Sequence, residues 1–581
     1  MVYTIGGDRI VPKQADPLEA AIVQFPEQPK KISFDLLLTR HLGNFGRYQL
    51  LQFVLLCLPT IFVAMHVMSW AFVAVPPRMI YRMVYTIGGD RIVPKQADPL
   101  EAAIVQFPEQ PKKISFDLLL TQHLGNFGRY QLLQFVLLCL PTIFVAMHVM
   151  SWAFVAVPPR MICANATTAE NCTIDGYSAV DRWDMQGERS WIKATVQSLY
   201  YIGQMTGSLF CGVMGDKMGR KSVFYLAIVL QVTCGALLSI APTWWLFAIL
   251  KAGTGFSQPG IYGVAVVLGM ELVGAKYRRL GSVVAGAFYA FGEILLAGMA
   301  YVLTDYRVLH AAIALPSLLF VTYWWLVPES ARWLVTKERY EEADVILHKA
   351  ARINGSYVPD RWWEQLEISQ NSKYTSFGMI DLIRTPKMRI RTLVCFFLWP
   401  VNTMMYYGLT MKSDLGGGNL YINFAISALM EIPALLLVYF LIDRIGRRQM
   451  VAGSLTLAGL CLVLNWAIGD DVSFYWGMMQ MMVTKGAVTV SYTAMYTYTS
   501  ELFPTVIRNT AVGCCSTIAR VGAIMSSYMA LWLVEAYGKL AMVIPFSLLS
   551  LIAAILTAVF LPETMNKPMP ESISEVEGTK I

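Results

Sequence analysis

What most constrains this chain is a series of long apolar runs separated by short polar turns. They fall at about 131–157, 191–214, 222–240, 244–270, 280–303 and 307–327, then at 390–411, 418–442, 450–468, 473–498, 509–533 and 539–561. A helix needs about 20 such residues to cross about 30 Å of hydrocarbon, so each run is predicted to span a membrane. With 56% hydrophobic and 15% charged residues, the 581-residue chain is too apolar for an ordinary soluble protein. The net charge of +7 needs no nucleic-acid partner, because Lys and Arg gather in alternate short loops. Most of the ten Cys lie inside apolar runs, where they read as small packing residues. No cleavable signal peptide is expected, since the first apolar run begins only near Leu50. No nucleotide-binding loop, nucleophile–base set or metal-ligand spacing rises above chance. That argues against ATP as energy source, against an enzyme and against a bound metal.

The runs come in two matched sets. Gly212-Val-Met-Gly-Asp-Lys-Met-Gly-Arg-Lys221 has its core repeated at Asp443-Arg-Ile-Gly-Arg-Arg448. Glu271 and Arg278 are seven places apart, as are Glu501 and Arg508. Val327-Pro-Glu-Ser330 matches Leu561-Pro-Glu-Thr564. Markers recurring in one order imply a duplicated half. The expected plan is a six-helix bundle over 83–329, a polar linker over 330–390, a second six-helix bundle over 391–565 and a tail over 566–581.

A second, nearly perfect duplication precedes these. Residues 1–80 and 83–162 are identical except that Arg40 becomes Gln122. Each copy carries one apolar run with the same flanks, so both prefer one orientation, whereas consecutive spans must alternate. Only the second copy continues into Cys163, so 83–162 is expected to be the true start and 1–82 a passenger bearing an extra span.

Loop charge orients the rest. Lys217/Arg220/Lys221, Lys276/Arg278/Arg279, the linker and Arg444/Arg447/Arg448 alternate with acidic or neutral loops, placing both core termini in the cytosol. The loop after the first core span carries sequons at Asn165 and Asn171, on the side predicted to be outside. Cys163 and Cys172 share that side, so a local disulfide is possible. The sequon at Asn354 lies inside by this topology and should stay unmodified.

The repeated Gly-x-x-x-Asp-[Arg/Lys]-x-Gly-Arg-[Arg/Lys] turn resembles the major facilitator superfamily. Pro328-Glu-Ser-Ala-Arg-Trp-Leu334, Glu338-Arg-Tyr-Glu-Glu-Ala-Asp344, Tyr498-Thr-Ser-Glu-Leu-Phe-Pro-Thr-Val-Ile-Arg-Asn509 and Ser516-Thr-Ile-Ala-Arg520 are similar to its organic cation/anion/zwitterion transporter family. The carnitine and organic-cation branch looks nearest. One departure is the first outer loop, usually long and cysteine-rich in that family and here only about 158–189. The resemblance implies an all-α membrane protein of twelve core helices in two pseudo-symmetric bundles. It implies a multi-pass carrier in the plasma membrane, moving small organic cations or zwitterions by alternating access. No cofactor is implied, and coupling to sodium or protons stays open. The implied partners are the solute and the lipid bilayer. An organic-anion carrier of the same fold, a non-transporting scaffold and a channel are the alternatives.

The recurring charges predict a gate. Asp216, Arg220, Glu271, Arg278, Glu329 and Arg332 in one half, with Asp443, Arg447, Glu501, Arg508 and Glu563 in the other, are expected on one face. There they would form two interlocked networks that hold an outward-open state shut inside. The plainer alternative is a set of solvated loop charges.

Ionisable residues inside spans are costly and usually face a cavity. They are Lys251, Glu293, Glu431, Lys485 and Arg520. The resemblance implies that Arg520 stands where the family's anion and carnitine branches carry Arg, which can hold a carboxylate by a two-pronged bond. Glu431, in a family motif, offers a countercharge, so the two suit a zwitterion such as carnitine; alternatively they pair with each other. Trp399 and Tyr406 match family cavity positions, while Tyr407, Tyr289, Tyr200 and Tyr201 are candidates by helix position alone. Aromatic faces attract quaternary ammonium ions, although packing is the commoner role. His148 is a proton relay or, more often, an interhelical bond. Lys251 and Lys485 hold matching places in the halves and read as hinges more than ligands.

Overall fold

The computed structural model describes residues 116–125, 127–158, 160–163, 172–175, 178–272, 278–365, 380–414, 419–468, 474–504, 506–567, 570 and 572–578. The duplicated segment 1–82, its extra span, and the sequons at Asn165 and Asn171 lie outside them.

Each apolar run of the core is a helix. In the first half these are α1 (Arg129–Met150, continued by Trp152–Val155), α2 (Trp191–Met218), α3 (Arg220–Leu238), α4 (Trp244–Gln258, continued through Pro259–Gly263 to Val264–Leu272), α5 (Arg278–Val302) and α6 (Tyr306–Ser317, continued to Tyr323–Leu326). In the second they are α7 (Pro386–Met411), α8 (Leu420–Leu429 and Glu431–Ile445), α9 (Arg447–Ile468), α10 (Phe474–Leu502), α11 (Arg508–Tyr528, continued to Val534–Tyr537) and α12 (Leu540–Phe560). Among the described residues, seven helices (α1, α3, α5, α6, α8, α11 and α12) are apolar and long enough to cross a membrane by length and composition alone. In α2, α7 and α10 the apolar run is diluted by polar side chains that are turned inward, among them Gln197, Gln204, Asn402, Thr410, Thr484 and Lys485.

The bends have local causes. Pro259 cannot donate a backbone hydrogen bond, and α4 passes through one π-helical turn at Pro259–Gly263. Pro433 likewise cannot reach back to Leu429, and α8 breaks at Met430. Across the seam between the halves, α5 packs against α8 and α2 against α11.

The all-α core carries one short ribbon besides its helices. In the loop after α1, Arg160–Cys163 (β1) pairs antiparallel with Cys172–Asp175 (β2), and the register sets Cys163 opposite Cys172. A tight antiparallel ribbon satisfies the backbone of a short excursion that has no lipid-facing run to make it helical.

The linker is folded onto the first half. Its helices Ala331–Thr336 and Tyr340–Asn354 bury Trp333 and Leu347 against Leu119 and Tyr130. Asn354 ties this cap down: its side-chain oxygen accepts from the Tyr130 backbone at 2.9 Å, and its side-chain nitrogen donates to Gln131 Oε1 at 2.8 Å. The amide that a glycan would need is already in use.

Candidate functional site

The repeated turns adopt one backbone shape. Gly219, between α2 and α3, has φ +100° and ψ 155°, and Gly446, between α8 and α9, has φ +101° and ψ 153°. Positive φ strains any residue with a Cβ. A Cβ at either position would also overlap the carboxylate of Glu329 or Glu563.

Around these turns the charges form two matching networks. Arg220 pairs with Asp216 at 3.1 Å and Glu271 at 3.9 Å, and it donates to the Gly215 carbonyl at 3.0 Å. Arg447 pairs with Asp443 at 2.7 Å and Glu501 at 2.9 Å, and it donates to the Ile442 carbonyl at 3.1 Å. Glu329 accepts from the backbone N–H groups of Arg220 and Lys221 at 3.0 and 3.2 Å. Glu563 does the same for Arg447 and Arg448 at 3.0 and 3.1 Å. Each carboxylate therefore caps the positive end of a helix dipole. Their protonation differs. Burial raises the Glu329 carboxyl above its ordinary value, whereas Glu563, despite some burial, is held below it by four backbone N–H groups. Arg508 is buried within the field of Glu501. Arg332 holds its guanidinium 5.7 Å above the Phe116 ring. The side chain of Arg278 lies outside the described residues. What the structure brings together is thus each network within its own half.

On the opposite face the contacts cross between halves, and sequence reasoning missed them. Lys193 of α2, only 4% exposed, pairs with Glu535 at the end of α11. Thr195 bonds Tyr528 at 3.2 Å. Phe154 stacks on Tyr421 at 5.2 Å and meets Phe424 at 4.8 Å, while Tyr301 meets Tyr421 at 5.8 Å. Lys193 sits near the first residue of a helix and reads in sequence as an interfacial charge, so only its partner reveals it.

Between the two faces lies a charged, tyrosine-rich seam. Glu431 and Arg520 do not pair with each other. Glu431 accepts from the Tyr406 hydroxyl at 2.8 Å and from Lys485 at 2.9 Å. Lys485 also bonds the Thr410 hydroxyl and lies 3.5 Å above the Tyr406 ring. Lys485 is therefore packed among the candidate site residues Glu431 and Tyr406. Arg520 is hydrogen-bonded to Tyr407 and acts electrostatically on Tyr200, Tyr201 and Tyr496. Tyr201 of the first half meets Tyr407 of the second at 4.9 Å. Trp399 is fully buried, donating to Thr499 at 3.1 Å and meeting Tyr496 at 4.6 Å. Tyr492, stacked on Tyr406 at 5.4 Å, and Tyr496 were not singled out; their i,i+4 spacing after Lys485 was the available signal. Tyr289 meets Tyr262 at 5.7 Å, and one turn on, Glu293 is buried with neither carboxylate oxygen hydrogen-bonded.

Lys251 lies elsewhere. Its ammonium donates to the His148 carbonyl at 2.6 Å and the Ser151 hydroxyl at 2.7 Å, while the His148 ring stacks on His310 at 6.5 Å. It binds α4 to the end of α1. Among the described residues no cluster of His, Cys, Asp or Glu has the arrangement of a metal site.

Residues 161–575 match the family model for the sugar (and other) transporter. The chain is 37% identical over 517 residues to the organic cation transporter protein of Drosophila melanogaster, covering 78% of this chain and 93% of that one. It is 33% identical over 435 residues to the organic cation/carnitine transporter 2 of Homo sapiens, covering 73% and 77%. In structure it resembles the proton:xylose symporter XylE bound to 6-bromo-6-deoxy-D-glucose, with a TM-score of 0.53 at 19% identity over 77% of this chain and 98% of that one. The inward-open conformation of XylE from E. coli aligns with a TM-score of 0.52 at 17% identity, again over 77% and 98%. These last two likenesses speak to fold alone. The chain belongs to the major facilitator superfamily, in its organic cation/anion/zwitterion transporter family, and like its relatives is a transporter and not an enzyme.

Proposed function

We propose that the protein carries a small organic cation or zwitterion, of quaternary-ammonium or carnitine type, across the plasma membrane by alternating access. The observation that carries this reading is the seam: tyrosines of both halves gather around Arg520, which among the described residues has a tyrosine and no carboxylate as its hydrogen-bonding partner. Such a guanidinium is available to a substrate carboxylate, and the tyrosine faces suit a substrate ammonium. Arg520, Trp399, Tyr406, Tyr407, Tyr289, Glu293 and Glu431 form the substrate site in this reading. The turn networks are its gate on the cytosolic side, where the core termini also lie. Residues 1–82 are a passenger, Asn165 and Asn171 carry glycans, and Cys163 and Cys172 close a disulfide across the ribbon. The same Arg520 guanidinium favours an organic anion as the second reading.

Uptake of labelled tetraethylammonium and carnitine into cells expressing residues 83–581, with and without sodium, tests this. Arg520→Ala should abolish carnitine uptake and spare tetraethylammonium. If neither compound enters, the cation and zwitterion reading fails and labelled organic anions are tried next.

A further inference from the structure

The first helix of each half begins without a cap of its own. In α7, Thr385 stands at the N-cap but its side chain caps nothing, and Pro386 follows with no N–H to give. The first donors left over are the backbone N–H groups of Lys387 and Met388. In α1, Gly128 has no side chain to offer, and the linker supplies Asn354 to the Tyr130 N–H at 2.9 Å.

Glu577, near the far end of the chain, does for α7 what Asn354 does for α1. One carboxylate oxygen accepts from the Lys387 N–H at 2.9 Å and from the Met388 N–H at 3.3 Å, and Lys387 Nζ donates to the Glu577 carbonyl at 2.6 Å. The tail helix Ile573–Glu577 is itself closed at both ends: Ser572 accepts from the Glu575 N–H at 3.4 Å, and Gly578 stops the helix at φ +76°. Val576, beside Glu577, is buried. Asn354 and Glu577 share their setting. Each ends a helix before a left-handed glycine, Gly355 at φ +71° or Gly578, and each follows a Pro-Glu turn whose glutamate caps α3 or α9.

The anchored turn leads on to the charged network of the second half. Arg391, one turn beyond Lys387, donates to the Leu502 carbonyl at the end of α10 at 2.6 Å. Leu502 follows Glu501, which holds Arg447 at 2.9 Å. Tail, α7, α10 and Arg447 are thus joined by consecutive contacts.

We propose that the tail helix is a clasp on α7 and that Glu577 is a positioning residue for transport. Its carboxylate fixes the positive end of α7 and, through Arg391, keeps the end of α10 in place against Arg447. The candidate solute residues Trp399, Tyr406 and Tyr407 begin about three turns further along α7, so the clasp acts on the network and not on the solute wall. This rests on reading the turn networks as the gate of a carrier, and adds the segment that steadies one of them.

Amide exchange on the purified full-length protein tests the clasp without transport. The Lys387 and Met388 amides should be protected in the wild type. Glu577→Ala should speed their exchange about fivefold, and Glu577→Gln, which keeps an acceptor, should restore most of the protection. Rapid exchange there in the wild type overturns the clasp without need of a variant. Uptake of labelled tetraethylammonium, counted per molecule at the cell surface, tests the positioning. Glu577→Ala should lower the maximal rate by a similar factor and leave KM unchanged, with Glu577→Gln again restoring it. A merely structural tail would lower the amount at the surface and leave the rate per molecule as it was. That result, or a shifted KM at a kept maximal rate, overturns the proposal and leaves the carrier reading standing. If the wild type moves neither tetraethylammonium nor a labelled organic anion, the carrier reading falls and the positioning role with it, while exchange still decides the cap.

Discussion

The turn face and the face opposite it are held by different kinds of contact. At the turns, Arg220 and Arg447 bind carboxylates of their own half, and Glu329 and Glu563 cap helices of their own half. At the opposite face, Lys193 reaches Glu535, and Phe154 and Tyr301 reach Tyr421, from one half to the other. The first kind makes each half a rigid body. The second sets whether two rigid bodies are together at that mouth. A rocking carrier has to break the second kind in every cycle.

The comparison can be broken most sharply at Arg447. It is 7% exposed and holds two carboxylates at 2.7 and 2.9 Å, so Arg447→Ala takes from Asp443 and Glu501 the cation both share. The expected cost is roughly 3 kcal/mol. Arg220, with pairs at 3.1 and 3.9 Å, should cost less on truncation, roughly 1–2 kcal/mol. Thermal unfolding in detergent checks the order, and equal losses would refute the difference between the halves.

Next come the glycines. Gly219→Ala and Gly446→Ala each force a Cβ into positive φ beside a capping carboxylate, at roughly 1–3 kcal/mol apiece. Similar losses of folded protein at the cell surface would support one shared turn; a silent substitution would show that one turn adapts.

At the opposite face, Lys193→Met should free that mouth by roughly 1 kcal/mol, or about fivefold in population. A cysteine replacing Ala300, which is 2% exposed and lines the cavity beside Phe154 and Tyr421, should then be labelled faster by a similar factor. Unchanged labelling would reduce these contacts to packing. The same substitution should leave the turn networks intact.

The smallest effect is on pH dependence. The folded Glu563 carboxyl is depressed, so its capping is complete above the ordinary carboxyl range and is lost only as pH falls through its lower folded value. The Glu329 carboxyl is raised by burial, so it takes up a proton at higher pH and loses its charge first. Amide exchange should therefore show protection at Arg220 and Lys221 fading at higher pH than at Arg447 and Arg448. The reverse order would mean that burial does not separate the two caps.

Much of the fold was legible because lipid leaves an apolar run little choice. The run read at 222–240 is the helix Arg220–Leu238, and the run at 539–561 is Leu540–Phe560. The pairing of Asp216 with Arg220 and Asp443 with Arg447 was legible too, since residues flanking a tight glycine turn stay close whatever the rest of the chain does. Partners distant in the chain were not. Nothing in the spacing of Glu431, Lys485 and Arg520 says which two will meet, and the ribbon at Arg160–Cys163 lacked a hydrophobic pattern strong enough to announce it.

By itself the sequence determined the spanning helices, their division into two halves and the recurring turns, because hydropathy, glycine and local charge act over a few residues. Only the tertiary structure decided that Glu431 goes to Lys485, that Arg520 keeps company with tyrosines, that Lys193 crosses to Glu535, and that Glu293 is left alone. Those outcomes depend on the rotation and depth of each helix against its neighbours, and packing of the whole bundle sets both.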